Sequence, residues 1–163
     1  MRIRLQDVGY EKRTVAGELP ASVLGLGTES DAEHVRDIGP ISCRLTVYEA
    51  AGQLIVEGEV RTRARFRCSR CDEFFSMEIG EPDIRLAPEI GKNDEFADLT
   101  ADIRESILLR FPAFPVCRED CPGLCPQCGI RRAEAACDCR RPSDQRWAAL
   151  DGLQPSGTAE QEQ

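Results

Sequence analysis

Aromatic residues make up only 6% of this 163-residue chain, and histidine and tryptophan occur once each. The single histidine, His34, excludes a centre built on two imidazoles; set in an acidic stretch, it reads as a solvated surface residue. No run of 18 apolar residues occurs, so no segment has the makeup of a membrane-spanning helix. The opening Met1-Arg2-Ile3-Arg4-Leu5-Gln6-Asp7 lacks the apolar core of a secretion signal, which points to the cytoplasm. Also missing are a phosphate-binding glycine loop, the dinucleotide-binding glycine pattern, His-Glu-x-x-His and Gly-x-Ser-x-Gly. Glu57 and Glu59 alternate along a predicted strand and read as solvated, not as a catalytic pair. The chain therefore reads as non-enzymatic, with no small-molecule substrate.

What the chain has in excess is cysteine, nine residues of it. A chain of this length buries a core without cross-links, and in a reducing cytosol clustered cysteines are metal ligands before they are disulfides. Eight of them form four close pairs: Cys68 with Cys71, Cys117 with Cys121, Cys125 with Cys128, and Cys137 with Cys139. Short loops of this kind turn thiolates back onto one tetrahedral ion. In Cys125-Pro126-Gln127-Cys128-Gly129, proline stiffens the turn and glycine lets backbone amides approach the sulfurs. The preferred partition joins Cys68 and Cys71 to Cys117 and Cys121, and Cys125 and Cys128 to Cys137 and Cys139. The first set would staple distant parts of the chain; the second would be a local knuckle. A swap that groups Cys117, Cys121, Cys125 and Cys128 stays open, as does a single occupied site with spare thiols. One or two Zn2+ ions fit best, because closed all-thiolate sites are the usual structural use of zinc. Iron is the rival, favoured by the Cys-x-x-Cys-Gly loop and disfavoured by Cys137-x-Cys139.

The ninth cysteine, Cys43, alternates with Ile41, Leu45 and Val47 and reads as a core thiol on a half-buried strand. After a turn at residues 50–53, Leu54 to Cys68 reads as one long strand with a bulge at Gly58, giving an antiparallel hairpin. Phe74, Phe75, Met77 and Ile79 suggest another strand, and Ile84 and Leu86 a further one. Residues 1–27 read as a short strand at Ile3 and Leu5 followed by polar chain, 27–40 as an acidic linker, and 89–98 as an acidic loop. From Asp98, the expected N-cap, Leu99, Ile103, Ile107 and Leu108 follow a helical period that stops at Phe111-Pro112. Ser143 would cap a short helix carrying Trp147 and Leu150, and residues 154–163 read as a disordered tail. The fold class is α+β: an antiparallel β-sheet with one main helix and a C-terminal cysteine-rich zinc-binding module. The expected divisions are 1–40 for the N-terminal strand and linker, 41–112 for sheet plus helix, 113–153 for the metal module docked on the sheet, and 154–163 for the tail.

Net charge is −8, which speaks against a generally basic nucleic-acid binder, but the average hides a pattern. Arg61, Arg63, Arg65, Arg67 and Arg70 fall together in a stretch without one acid, whereas residues 72–106 are strongly acidic. On a strand the first four project from one face, with Thr62, Ala64 and Phe66 on the other. Like charges at this spacing repel, so the stripe is either neutralised by acids elsewhere or a phosphate-contacting surface for RNA. Arg131, Arg132, Arg140 and Arg141 form a weaker basic group beside the last cysteines.

These residues resemble the bacterial YceD family. The resemblance is carried by Cys68-Ser69-Arg70-Cys71 followed by Phe74-Phe75, by the segment from Asp98-Leu99 through Leu108-Leu109 to Phe111-Pro112, and by Cys117-x-x-Asp120-Cys121-x-Gly123-Leu124-Cys125-Pro126-x-Cys128-Gly129 with Cys137-x-Cys139. It closes on Asp144-Gln145-Arg146-Trp147-Ala148-Ala149-Leu150 and spans roughly residues 41–153. The family is described as large ribosomal RNA subunit accumulation proteins, regarded as metal-binding and considered for nucleic-acid binding; its plastid relatives act in organellar ribosomal RNA processing. The resemblance implies a factor in ribosome biogenesis whose partner is large-subunit ribosomal RNA or a pre-ribosomal particle, and it offers the arginine stripe an RNA ligand. Two departures matter: Ile130 to Ala136 lacks the Asn-Leu-Asn usual after the Cys-Gly, and some relatives lack the C-terminal cysteines. Two other readings stand beside it: an acidic adaptor for a ribosomal protein or processing nuclease, and a zinc-thiolate redox sensor.

Overall fold

The computed structural model describes residues 1–26, 28–91, 94–139 and 146. In chain order its elements are β1 (Arg2–Arg4), β2 (Arg13–Leu19), α1 (Glu29–His34), β3 (Val35–Arg36), β4 (Ile41–Ala50), β5 (Gln53–Arg67), β6 (Phe74–Leu86), β7 (Phe96–Asp98) and α2 (Thr100–Leu109). The expected α+β architecture is present: antiparallel strands, one main helix and a C-terminal cysteine cluster.

β5 is the spine. β4 pairs with its first part, from Ala50↔Gln53 to Ser42↔Arg61, and β3 continues along it at Val35↔Phe66. β6 pairs along β5 from Val56 to Arg67, and β2 lies outside β4. The β4–β5 turn takes positive φ at both Ala51 (51°) and Gly52 (76°), the geometry whose twist suits a two-residue hairpin. Leu54, Val56, Val60, Ala64 and Phe66 alternate inward and are buried. Thr62, the one buried polar side chain among the described residues, donates its hydroxyl to the Gly39 carbonyl at 3.0 Å. Against this inner face α2 lays Ile103 and Ile107, both fully buried with Leu99 just before them.

The expected irregularity at Gly58 is present, with the inserted residue on the partner strand. Gly58 faces Ile84 while Val60 faces Glu81, so β6 carries one residue more than β5 there. That insertion flips the inward parity of β6, and Ile79 and Ile84 both reach the core although they are five positions apart. β6 is therefore one strand, not two. Its Pro82 is tolerated because this strand is an edge.

Several segments differ from the sequence reading. Residues expected as an acidic linker form α1 and β3; Thr28 Oγ accepts the Asp31 N–H at 3.2 Å while the Asp31 carboxylate accepts the Thr28 N–H, a capping box. β2 was hidden because both its faces are largely exposed, leaving no periodicity to read. The acidic stretch 89–98 ends in β7, which pairs with β1 through Arg2↔Asp98. Leu5, expected within the first strand, opens a single 3-10 turn. Asp98 stands one residue before the cap position, yet its carboxylate accepts both the hydroxyl and the N–H (3.0 Å) of Thr100, which hold it well below the usual carboxylate range. The helix expected around Trp147 and Leu150, the tail, and Arg140 and Arg141 lie outside the described residues.

Gly58 adopts φ of 150°, and a Cβ there would sit 2.2 Å from the Arg44 carbonyl oxygen. Gly58→Ala is expected to cost about 3 kcal/mol or more by driving β4 off β5, read as a lower denaturant midpoint at unchanged slope.

Candidate metal centre and arginine face

The chain builds the same turn twice. Where β5 ends, the Cys68 N–H donates to the Glu73 carbonyl (2.8 Å) and the Asp72 N–H to the Cys68 carbonyl (3.0 Å). Fifty-seven positions later, the Cys125 N–H donates to the Ile130 carbonyl (2.8 Å) and the Gly129 N–H to the Cys125 carbonyl (2.9 Å). Both turns need a left-handed residue one place after the second cysteine, supplied by Asp72 (φ 68°) and Gly129 (φ 72°). In each, amide N–H groups of the turn point back at the first sulfur.

Each turn meets a second cysteine pair. Cys68, Cys71, Cys117 and Cys121 form one group and Cys125, Cys128, Cys137 and Cys139 the other, with the sulfurs of each group all within 4.8 Å of one another. The swapped grouping is not formed. All nine cysteines are free thiols. A tetrahedral ion with sulfur at about 2.3 Å sets sulfurs about 3.8 Å apart; Cys71 and Cys117 stand at 3.8 Å and Cys68 and Cys121 at 3.9 Å. Each donor set therefore fits a thiophilic metal ion. The ninth thiol, Cys43, is buried in the sheet core as expected, and burial pushes it up.

In each group one thiol is drawn down and two are pushed up. Burial raises the Cys68 thiol, but the N–H groups of Cys71, Cys117 and Arg70 outweigh it and bring the thiol down to about 6. Cys125 falls to about 6 because the N–H groups of Cys128 and Gln127 serve its thiolate. Burial and then the neighbouring thiols push Cys117 up to about 12; contact with Cys128 does the same to Cys139. Cys71 and Cys137 are also raised. A bound cation is what would let all four thiols of a group ionise together.

The groups differ in exposure. In the first, Cys68, Cys71 and Cys121 are buried beside Phe75 and Val116 and Cys117 is exposed; in the second, only Cys125 is buried, Cys137 is half-buried, and Cys128 and Cys139 are exposed. Two arginines tie the parts together. Arg70, expected at an RNA surface, donates to the carbonyls of Glu119 (2.7 Å) and Cys121 (3.3 Å) and so holds the first group's return loop. Arg131 reaches from the second turn to the Cys71 carbonyl (3.1 Å) and to Glu73, in the loop that lacks the Asn-Leu-Asn of the family pattern. Between the groups, Gly123 takes φ of 71°, and a Cβ there would lie 3.0 Å from the Arg70 carbonyl.

Arg61, Arg63, Arg65 and Arg67 do share the outer face of β5, and each has a carboxylate: Glu59 and Glu78 for Arg61, Glu78 for Arg63, Asp37 for Arg65 and Asp72 for Arg67. Their side chains remain 37–72% exposed. Three members of this face escaped the sequence reading: Arg36, Arg44 on β4, which pairs with Glu59, and Phe74. Arg36 lies opposite Arg65 on β3, and its guanidinium stacks 3.6 Å from the ring centre of Phe74, which pairs with Arg67 on β6. Arg36 was hidden in an apparent linker; the capping box at Thr28 was the signal that the segment is ordered.

Titrated with Zn2+, the reduced protein is expected to saturate at two ions per chain. Against a competing chelator, the ion at the exposed group leaves first with little loss of structure, and the buried group's ion leaves only on unfolding. Cys128→Ser should then cost about 1 kcal/mol and Cys71→Ser at least about 4 kcal/mol. Release of both ions in one phase would contradict this order.

Residues 78–154 match the family described as Large ribosomal RNA subunit accumulation protein YceD. Uncharacterized proteins of Mycobacterium tuberculosis and Mycobacterium bovis are 34% identical over 128 residues, 78% of this chain and 59% of theirs. A Mycobacterium leprae protein, also uncharacterized, is 27% identical over 106 residues, 55% of this chain and 48% of its own. The chain thus spans less than two thirds of the length of these relatives. No solved structure matches. The match to the YceD family covers residues 78–154, the part of the chain that holds α2, Cys117, Cys121 and all four thiols of the second group.

Proposed function

We propose that the protein is a non-enzymatic cytoplasmic factor supporting the processing and accumulation of large-subunit ribosomal RNA. It contacts single-stranded RNA on the outer face of β5, with two structural Zn2+ ions holding the C-terminal module in place. The family description supports the process. The observation that carries the contact is the composition of this face: Arg36, Arg44, Arg61, Arg63, Arg65 and Arg67 set against the carboxylates of Asp37, Glu59, Asp72 and Glu78, around the ring of Phe74. Alternate residues on a strand stand about 6.8 Å apart, a repeat an extended phosphate backbone can follow. Exposed ion pairs are worth about 0–1 kcal/mol each, so exchanging a carboxylate for a phosphate costs little, and counterion release adds to the gain. Phe74 and the guanidinium planes offer stacking surfaces for unpaired bases. Zinc supplies the positive charge that keeps four thiolates together, and a closed four-thiolate set is its structural use.

Binding of the zinc-loaded protein to large-subunit ribosomal RNA fragments should weaken with salt, with a log–log slope of about −3 to −4 for five contacts to a single strand. Arg63→Glu/Arg65→Glu, at unchanged zinc content and melting temperature, should lose at least about tenfold in affinity and flatten the slope by more than 1. If wild type captures a basic ribosomal protein or a processing nuclease after RNA is digested, yet binds no RNA, the acidic adaptor replaces this reading.

A further inference from the structure

The arginine stripe does not end on open surface. Its last member, Arg67, forms one side of a cleft of about 530 Å³ between the end of β5 and the Phe111–Pro115 segment. Phe111, Pro112, Pro115 and Leu124 supply apolar walls, and Leu124 is 37% exposed. Arg67 and Arg70 stand at the rim against a single carboxylate, Asp72. Arg70 uses one terminal nitrogen for both of its carbonyl contacts, so its other nitrogens have no partner among the described residues. The cleft is rigid where it matters: the Ser69 N–H donates to the Pro115 carbonyl at 2.8 Å, and Phe111 packs edge-on against Phe66 at 5.3 Å.

We propose that this cleft is a nucleotide subsite. It takes one unstacked base of the single strand that lies along β5, and the flanking phosphates fall to Arg67 and Arg70. The inference rests on the RNA reading of the arginine face and extends it. Three features select this occupant. The site is continuous with the stripe, so a strand tracked along β5 arrives at it. Two guanidiniums against one carboxylate favour an anionic backbone at the mouth. The volume admits one nucleotide, and proline rings with a phenyl ring make walls suited to a flat base.

The test uses six-nucleotide RNAs, each with one base removed and its ribose-phosphate kept, bound to the zinc-loaded full chain at fixed salt. One position should cost about tenfold in affinity, the size of a lost base stack. In Ser69→Trp, which fills the cleft from an exposed side chain and keeps the backbone bond to Pro115, that penalty should vanish and binding of intact RNA should fall by a similar factor. The salt slope should not change. Leu124→Gln provides the same readout should the tryptophan perturb folding. A flat scan in a wild type that still binds RNA leaves the cleft to a protein partner and overturns the subsite while sparing the arginine face. A localised penalty that persists in both variants places the stacked base elsewhere and also overturns it. Failure of wild type to bind any RNA removes both readings together.

Discussion

The contact on which the rest of the structure depends is the meeting of Cys71 with Cys117, and of Cys68 with Cys121, across 46 and 53 positions of chain. Everything between these residues is a closed circuit: β6, β7, α2 and the Phe111–Pro115 segment leave the end of β5 and come back to it. Closing a loop of this size costs entropy that grows only slowly with length. A four-thiolate site can therefore fix a long excursion almost as cheaply as a short one, provided its two halves are preformed. The turn at Cys68 is preformed by its two backbone hydrogen bonds, and the return loop is held by the Arg70 guanidinium. The position of α2 on the inner face of the sheet and that of the cleft at the end of β5 are then consequences of one junction.

The two cysteine turns show how similar backbone geometry serves different ends. At Gly129 the left-handed residue is glycine and has no side chain to place. At Asp72 the same conformation is held by a residue that tolerates it less well, at a cost of order 1 kcal/mol. What that conformation brings is a carboxylate aimed back at Arg67, bound through two nitrogens. The turn of the buried thiol group is thereby coupled to the last arginine of the outer face. Arg131 couples the second turn to the first in the same manner, through Glu73 and the Cys71 carbonyl. The thiol groups and the arginine face are thus connected, with Asp72 standing between the first thiol group and Arg67.

How much of this could be read beforehand follows from where each signal resides. Alternation in Ile41, Cys43, Leu45 and Val47, and again from Leu54 to Phe66, reports one buried face directly, and the central hairpin was legible to within a residue. The same holds for Leu99, Ile103 and Ile107. Cysteine spacing made four pairs plain; that Cys68 and Cys71 join Cys117 and Cys121 is a tertiary fact on which spacing gives only a preference. β2 left no trace because an edge strand exposed on both faces has no period. β7 is too short to show one, and the parity flip near Pro82 made a continuous strand look like two. Arg70 and Arg131 were legible as charges but not as braces: Arg70 holds backbone carbonyls, which carry no sequence signature, and Arg131 holds one carbonyl and Glu73, which lies far away in the chain.

An acidic chain carrying an arginine face poses a physical question that the ion pairs answer. At a net charge of −8 the far field repels RNA, but at physiological salt it is screened beyond about 8 Å. Recognition then depends on what the polymer meets at contact. Had the arginines stood unpaired, their mutual repulsion along β5 would have opposed the strand they sit on. Glu59, Glu78, Asp37 and Asp72 remove that repulsion in the free protein while leaving the guanidiniums exposed. A phosphate backbone that displaced these carboxylates, as proposed, would take over their role and keep the strand neutralised. On the RNA reading proposed for this face, the carboxylates belong to it: they hold the arginines extended, in register and ready to exchange partners.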